Sequence, residues 1–495
     1  MYNFPSPPPP PHLCHSFFAS SYSIPEAQSA RRNSFMMRWC LALLLCCFLA
    51  VVNALSSSGS RLLVVLDESA EKSAYSTLWS DLKERGYDIS FETPKSNSLS
   101  LFQHGERAYD HLLILPPKSK GLGPNLTPKN VLDFMGQDGN IILALSGKSS
   151  TSSAISSLLL EFDIHLSNDR SAVVIDHFNY DTVSAAEKHD VLLLNRPEAL
   201  RSDVKAFFDG EGVLALPRVA PQTLGNTSPL VSPVLQAPAT AYAYNPKEEI
   251  PSAEDIEATG SQLNIVSALQ SRNSARLTIL GSVEALEDKW FSASVKAPNG
   301  KKISTANREF AKQLTAWTFK ETGVLKVGKV EHHLATDGEV SADDLNPTIY
   351  RIKNETVFSI ELSEYAYDKW VPYEVPAGDE LQLEFTMLSP FHRLALQPTK
   401  KTETSTIYSV QFVTPDQHGI FSFRVNYKRP FLTNIEEKHE VTVRHFAHDE
   451  YPRSWAISGG WVWIAGLWSV IGGFLAFVIV WLYSAPAADK TKKMQ

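Results

Sequence analysis

Beyond residue 47 the chain contains no cysteine: Cys14, Cys40, Cys46 and Cys47 are the only four. Whatever folds after that point has no disulfide framework, no thiol nucleophile and no cysteine-ligated metal, so it must rest on a sizeable core. Basic surface is also scarce. The formal net charge is −8 and no long run of like charge occurs, which argues against a nucleic-acid partner. The phosphate-binding motifs are incomplete. "IILALSGKSSTSS" (141–153) ends like a P-loop, but the first glycine of G-x-x-x-x-G-K-[ST] would fall at Ile142, inside an apolar strand. Gly147-Lys148-Ser149 therefore reads as a strand-to-helix turn. The loop Asp67-Glu68-Ser69-Ala70 has two acids and no glycine, and no dinucleotide fingerprint, G-x-S-x-G elbow or H-E-x-x-H helix is found. No cofactor and no metal is expected.

Long apolar runs are present at both ends. Residues 1–30 are Pro- and Ser-rich. Arg31, Arg32 and Arg38 then precede an uninterrupted apolar stretch from Trp39 to Val52, and Val52-Asn53-Ala54 supplies a cleavage site. This pattern is a secretory signal, with a mature chain starting near Leu55. Initiation at Met36 or Met37 would give a signal of ordinary length, so residues 1–35 are expected to be absent from the natural protein; N-terminal sequencing of an uncleaved precursor checks this. At the other end "WVWIAGLWSVIGGFLAFVIVWLY" (461–483) would form a helix of about 35 Å at 1.5 Å per residue, enough to cross a bilayer. Trp461, Trp463, Trp481 and Tyr483 mark its ends, as interfacial aromatics do. Lys490, Lys492 and Lys493 follow, which predicts a type I single-span protein with a cytosolic tail. Lys492 and Lys493, at −4 and −3 from the terminus, resemble a dilysine signal for retrieval to the endoplasmic reticulum.

Between these ends the pattern changes once. "RLLVVL", "YDISFET", "YDHLLILPP" and "NIILALS" are aliphatic strands alternating with helical segments, one of them opened by Thr127 as cap and Pro128 at its first position. This alternation predicts a doubly wound, mostly parallel α/β domain over 55–323. "LNIVSALQSRNSARLTILGSVEAL" reads as helix, strand and Gly turn, and "NREFAKQLTAWTF" as a helix with Phe310, Leu314 and Trp317 at core spacing. Past Gly323 the period becomes two: Leu381, Leu383, Phe385 and Met387 alternate with polar residues, as do Phe421, Phe423, Val425 and Tyr427. An antiparallel β-sandwich of about seven strands is expected over 324–455, then a membrane helix over 456–485 and a tail over 486–495.

His439, His445, His448, Asp449 and Glu450 gather in "HEVTVRHFAHDE", but H-x-x-H on a strand sends its rings to opposite faces, which suits a solvated strand end better than a metal site. Three sequons occur, at Asn125, Asn226 and Asn354. Pro128 and Pro229 directly follow the first two, which leaves Asn354 as the best glycan acceptor. Gly466, Gly472 and Gly473 would let another helix approach the span closely.

These residues carry a resemblance. Trp370-Val-Pro-Tyr373, "LQLEFTMLSPFHR" (381–393), "PDQHGIFSFRVNYKR" (415–429) and "VRHFAHDEYPR" (443–453), with "SPVLQAPATAYAY" and "ARLTILGSVE" earlier, are similar to the non-catalytic, type I, single-span subunit (48 kDa class) of the endoplasmic-reticulum oligosaccharyltransferase. The resemblance implies membership of the complex that moves a glycan from a dolichol carrier to Asn in N-x-[ST]. It implies partners too: a catalytic multispanning subunit, ribophorin-type subunits and small membrane subunits. It further implies an N-terminal domain of amidotransferase-like or flavodoxin-like build that has lost its nucleophile. The alternative function is a lumenal carbohydrate- or peptide-binding membrane protein, working through the crevice at the carboxyl ends of the α/β strands.

Overall fold

The computed structural model describes residues 55–67, 69–117, 121–169, 171–245, 256–336, 338, 340–451 and 459–484. The signal segment and the lysine tail lie outside these residues. Two compact units are formed: one runs to Val324, save for Ser202–Val204, and takes in Tyr365–Lys369; the other holds Ser202–Val204, Leu325–Glu364 and the chain from Trp370 onward.

The first unit is organised by a nine-stranded sheet. Five strands lie side by side in parallel: Asp88–Glu92, Arg61–Val65, His111–Ile114, Asn140–Ala144 and Arg276–Leu280. Numbered along the chain, their spatial order is 2-1-3-4-5. The three central strands and Arg276–Leu280 are buried along almost their whole length, as parallel strands covered on both faces are. On one face Leu63, Leu112, Ile141, Leu143 and Ile279 pack with Val131 and Phe134 of the helix Pro128–Gly136 and with Ile155 and Leu158 of the helix Ser153–Glu161. On the other face Thr278 meets Thr318 of the helix Asn307–Thr318 through their hydroxyls at 2.6 Å, and Trp79 of the helix Ser76–Glu84 sets its edge on Phe91 at 5.3 Å. Local chemistry starts these helices where expected. The Thr127 side chain accepts from the Asn130 amide at 3.2 Å with Pro128 in the first turn, and Ser152 accepts from Ile155 at 3.3 Å.

The rest of the sheet is antiparallel, so "mostly parallel" overstates it. Asn264–Gln270 pairs with Arg276–Leu280, then Gln222–Leu224 and Ile164–Leu166 extend the edge, and Val231–Gln236 also pairs with Asn264–Gln270. The expected helix at "LNIVSALQ" is thus a strand. All seven of its residues are buried, the polar Asn264, Ser267 and Gln270 included, and a strand covered on both faces has no period to separate it from a buried helix. The hairpin turn is made by Ser271–Ser274, with Ser274 at φ 65°.

The second unit carries two five-stranded sheets. One holds Thr322–Leu334, Glu355–Ala366, Lys369–Pro372, Gln397–Lys401 and Thr406–Val413; the other holds Ile349–Arg351, Ile435–Arg444, Gly419–Tyr427, Gln382–Thr386 and Pro390–Ala395. Ten strands replace the expected seven, because several have only three to six residues. One pairing departs from the antiparallel expectation: Ile349–Arg351 runs parallel to Ile435–Arg444. Aromatic rings join the two sheets. Phe358 stacks on Phe423 at 5.3 Å, Phe385 lies 5.3 Å from Phe412, and His332 stacks on Phe423 at 4.6 Å. Gly460–Tyr483 forms one helix of 24 residues, long and apolar enough to cross a membrane.

Candidate functional site

In open α/β sheets ligands bind outside the carboxyl ends of the parallel strands. Here the part of that edge at the fourth and fifth strands is occupied by the chain itself. The Gly147 amide donates to the Arg218 carbonyl at 2.9 Å, Ala220 donates to Gly281 at 2.9 Å, and the Ser282 hydroxyl donates to Pro217. Segment 217–220 thus lies across the ends of the strands Asn140–Ala144 and Arg276–Leu280. Both turn glycines are required by this approach. A Cβ on Gly147 would overlap Val173 and come within 2.8 Å of the Arg218 oxygen; on Gly281 it would come within 2.8 Å of the Ile265 oxygen. Arg218, at φ 45°, forms a forked ion pair with the buried Glu284, its Nε donating at 3.0 Å. Ser146, where a nucleophile would sit after the strand, is buried, and its hydroxyl accepts from the Lys148 amide at 3.1 Å. No histidine adjoins it among the described hydrogen bonds. Gly147-Lys148-Ser149 is a turn into the helix Ser153–Glu161, as read from the sequence.

The opposite edge, at the amino ends of the strands, is an ionic lock. Glu321, fully buried, accepts from Arg85 at 2.9 Å and from the Tyr87 hydroxyl at 2.6 Å. Arg276, also fully buried, donates to the carbonyls of Trp317, Thr322 and Gly323 at 2.5–2.7 Å. These carbonyls belong to the last turn of the helix Asn307–Thr318 and the strand that follows, where a cation offsets the helix dipole. His111 fits between Tyr87 and Phe319, with Nε2 near Ser56 Oγ (3.2 Å) and the Gly59 carbonyl (3.1 Å); its burial lowers its pKa to about 4. Lys320, pushed down to about 8 by burial and by Arg276 nearby, completes the group. Sequence reasoning missed this lock, whose members span residues 85–321; the one available signal was a polar residue opening each aliphatic strand.

The residues proposed from sequence are scattered rather than convergent. Asn354 lies half-buried in the turn before Glu355–Ala366. Its Oδ1 accepts from Arg351 Nε at 3.1 Å, its backbone is pinned to Thr414, and its Nδ2 makes no hydrogen bond among the described residues. Thr127 of the Asn125 sequon is consumed as a helix cap, whereas Asn226 is exposed beside Thr227 and Ser228, which Asp163 holds. Gly466, Gly472 and Gly473 face open space on the apolar helix: a Cβ added at any of them would have no atom from beyond the helix backbone within 4 Å among the described residues. Lys492 and Lys493 lie outside the described residues. The His445 ring lies tilted against His418 at 3.9 Å and Glu450 is held by Arg444, and no group of three or more metal-ligating side chains forms among the described residues.

A mixed α/β unit, a β-rich unit and one C-terminal helix long and apolar enough to cross a membrane fit the class of helix-anchored membrane proteins with a folded body. The chain belongs to the OST48 family: residues 53–321 match its N-terminal domain and residues 332–485 its middle domain. Similar proteins are the dolichyl-diphosphooligosaccharide–protein glycosyltransferase subunit wbp1 of Schizosaccharomyces pombe, 34% identical over 90% of this chain and 97% of that one, and the 48 kDa subunit of the same glycosyltransferase in Arabidopsis thaliana, 32% identical over 86% and 92%. The 48 kDa subunit of Caenorhabditis elegans is 30% identical over 92% and 98%. A solved ThuA-like protein from Parabacteroides merdae aligns with 52% of this chain and 89% of its own at 11% identity, with a TM-score of 0.28, too low to bear on the fold.

Proposed function

We propose that this chain is a non-catalytic, accessory subunit of the oligosaccharyltransferase complex, supporting assembly and stability while another, multispanning subunit transfers the dolichol-linked glycan to Asn in N-x-[ST]. The observation that supports this reading is the chain's own cover over part of the carboxyl edge. Segment 217–220 and the Arg218–Glu284 pair close the ends of the fourth and fifth parallel strands, beside the switch point between Arg61–Val65 and His111–Ile114 where a doubly wound domain would hold a substrate. The 2-1-3-4-5 order of the parallel strands supports a flavodoxin-like, amidotransferase-related ancestry for residues 55–323. The facing aromatic sheets support a β-sandwich over 324–455, with the membrane helix over 456–485 and the tail over 486–495.

In this reading the protein is type I in the endoplasmic-reticulum membrane, its bulk in the lumen. It docks on the catalytic, ribophorin-type and small membrane subunits through the sandwich and through Gly466, Gly472 and Gly473. Asn354 bears a glycan, which an endoglycosidase shift lost in Asn354→Gln would check. Lys492 and Lys493 return the protein from later compartments, and Lys492→Ser with Lys493→Ser should reach the cell surface. The test of the accessory role is rescue. Cells depleted of the chain should underglycosylate reporter proteins, and Ser146→Ala with Lys148→Ala should restore transfer fully. Loss of transfer by that variant in an intact complex would overturn the proposal.

A further inference from the structure

The outer face of the sheet containing Gly419–Tyr427 is ionic over most of its length. Arg424 and Lys428 pair with Glu436 at 3.3 and 2.9 Å, Lys438 with Glu440 at 2.6 Å, and Arg393 with Glu384 at 2.9 Å. Towards one end the character changes. Thr386 and Ser422 meet through their hydroxyls at 3.0 Å, and beyond them comes an apolar row set by strand register. Ile349 pairs with Thr442, and Thr442 pairs with Ile420. Leu388 stands at the tip of the hairpin that joins Gln382–Thr386 to Pro390–Ala395, at the same end of the sheet, since Thr386 pairs with Ser422. Ile349 is 59% exposed, Ile420 65% and Leu388 97%; at the same end, on the inner side, Phe391, 43% exposed, leans on the buried Phe421 at 5.2 Å. Isolated exposed aliphatics are ordinary, but a row across adjacent strands on an otherwise ion-paired face marks a contact surface.

Connectivity indicates what it contacts. The row stands two residues before Arg444, the end of the strand that leads to the apolar helix. After Arg444 the chain turns back on itself, with the Glu450 amide donating to Ala447 at 3.0 Å and Arg444 gripping Glu450 at 2.7 and 2.8 Å. From Tyr451 only nine residues remain before the helix begins at Gly460, a reach of at most about 30 Å even when extended. This end of the sheet is therefore tethered close to the membrane that the helix crosses. Its rim has the residues that suit a headgroup zone: Phe446 under the Arg351 guanidinium at 4.9 Å, Tyr451 exposed, and Arg444 beyond the row.

We propose that the row Ile349, Ile420 and Leu388, with Phe391, rests in the headgroup region of the bilayer and seats the β-rich unit on the lipid surface. This goes beyond the accessory role and needs only the span. A chain processed near Leu55 has no cysteine, so Leu388→Cys, Ile420→Cys and Lys428→Cys each give one site for an environment-sensitive fluorophore. The labelled full chains are reconstituted in phosphatidylcholine vesicles with and without lipid carrying a nitroxide near the headgroup, and Phe474→Cys, read against lipid carrying the nitroxide deep in its acyl chain, reports the span. Expected is a twofold or greater loss of emission at positions 388, 420 and 474 and no change at 428. Positions 388 and 420 behaving like 428 while 474 is quenched would overturn the proposal; no quenching at 474 would overturn the span as well. Emission at 388 that is blue-shifted in native microsomes yet insensitive to the nitroxide lipid would assign the row to a protein partner, again overturning it. Two label positions guard against one variant failing to fold.

Discussion

The guanidinium of Arg276 lies 4.8 Å from the centre of the Trp317 ring and also donates to Trp317's own carbonyl at 2.5 Å. One buried cation thus holds the strand Arg276–Leu280, the end of the helix Asn307–Thr318 and the start of the strand Thr322–Leu334. Arg276→Met would leave three carbonyls without their donor. The expected loss is about 3 kcal/mol, read as a lowered thermal midpoint in mild detergent. Arg276→Lys should recover only part of it, because an ammonium on a point-like head cannot reproduce the planar fork.

His111 makes stability depend on pH. Burial lowers its pKa from the ordinary 6.5 to about 4, so between those values the unfolded chain binds a proton that the folded chain refuses. Stability is full above pH 6.5 and falls as pH drops toward 4, by about 3 kcal/mol for this one group. His332, stacked on Phe423 and lowered to about 4 by burial, acts in the same direction in the other unit. His111→Gln should flatten the fall in thermal midpoint between pH 6.5 and 4 by about one proton's worth; an unchanged slope would contradict the assignment.

Gly147→Val tests the chain's own cover over the carboxyl edge. The new side chain would collide with Val173 and with the Arg218 backbone, so segment 217–220 must lift. A cost of about 1–3 kcal/mol is expected, with faster proteolysis in the loop around Arg218. The same substitution at Gly136, whose Cβ would meet open space, should leave that loop as resistant as before.

Replacing Gly466, Gly472 and Gly473 by Leu should leave the two folded units intact, because no described residue from beyond the helix backbone approaches these positions. It should nevertheless release the protein from its complex in native gels, since larger side chains keep a neighbouring helix at a distance. Unchanged co-migration would remove these glycines from the interface.

Much of the fold was legible because the parallel strands are short aliphatic runs and because Thr127 with Pro128 announces a helix chemically. The strand Asn264–Gln270 was not legible, since burial on both faces erases its period. Nor was the pairing of Ile349–Arg351: three residues carry too little pattern to reveal their direction. The turn at Arg429-Pro-Phe-Leu-Thr places Phe431 at φ 66°, a conformation that its side chain does not advertise. The cover over the carboxyl edge is legible only in space, because residues 147, 218, 281 and 284 come from separate stretches of chain. The apolar row of Ile349, Ile420 and Leu388 likewise needs the strand register to become a row.

The most direct measurement of the accessory role is transfer of a dolichol-linked glycan to an N-x-[ST] peptide, assayed on two preparations. One is the complex isolated through this chain from membranes in mild detergent; the other is the same chain stripped of its companions. The account predicts transfer by the first, together with a multispanning subunit in the eluate, and none by the second. Turnover by the stripped chain, or an eluate without transfer activity, would contradict it.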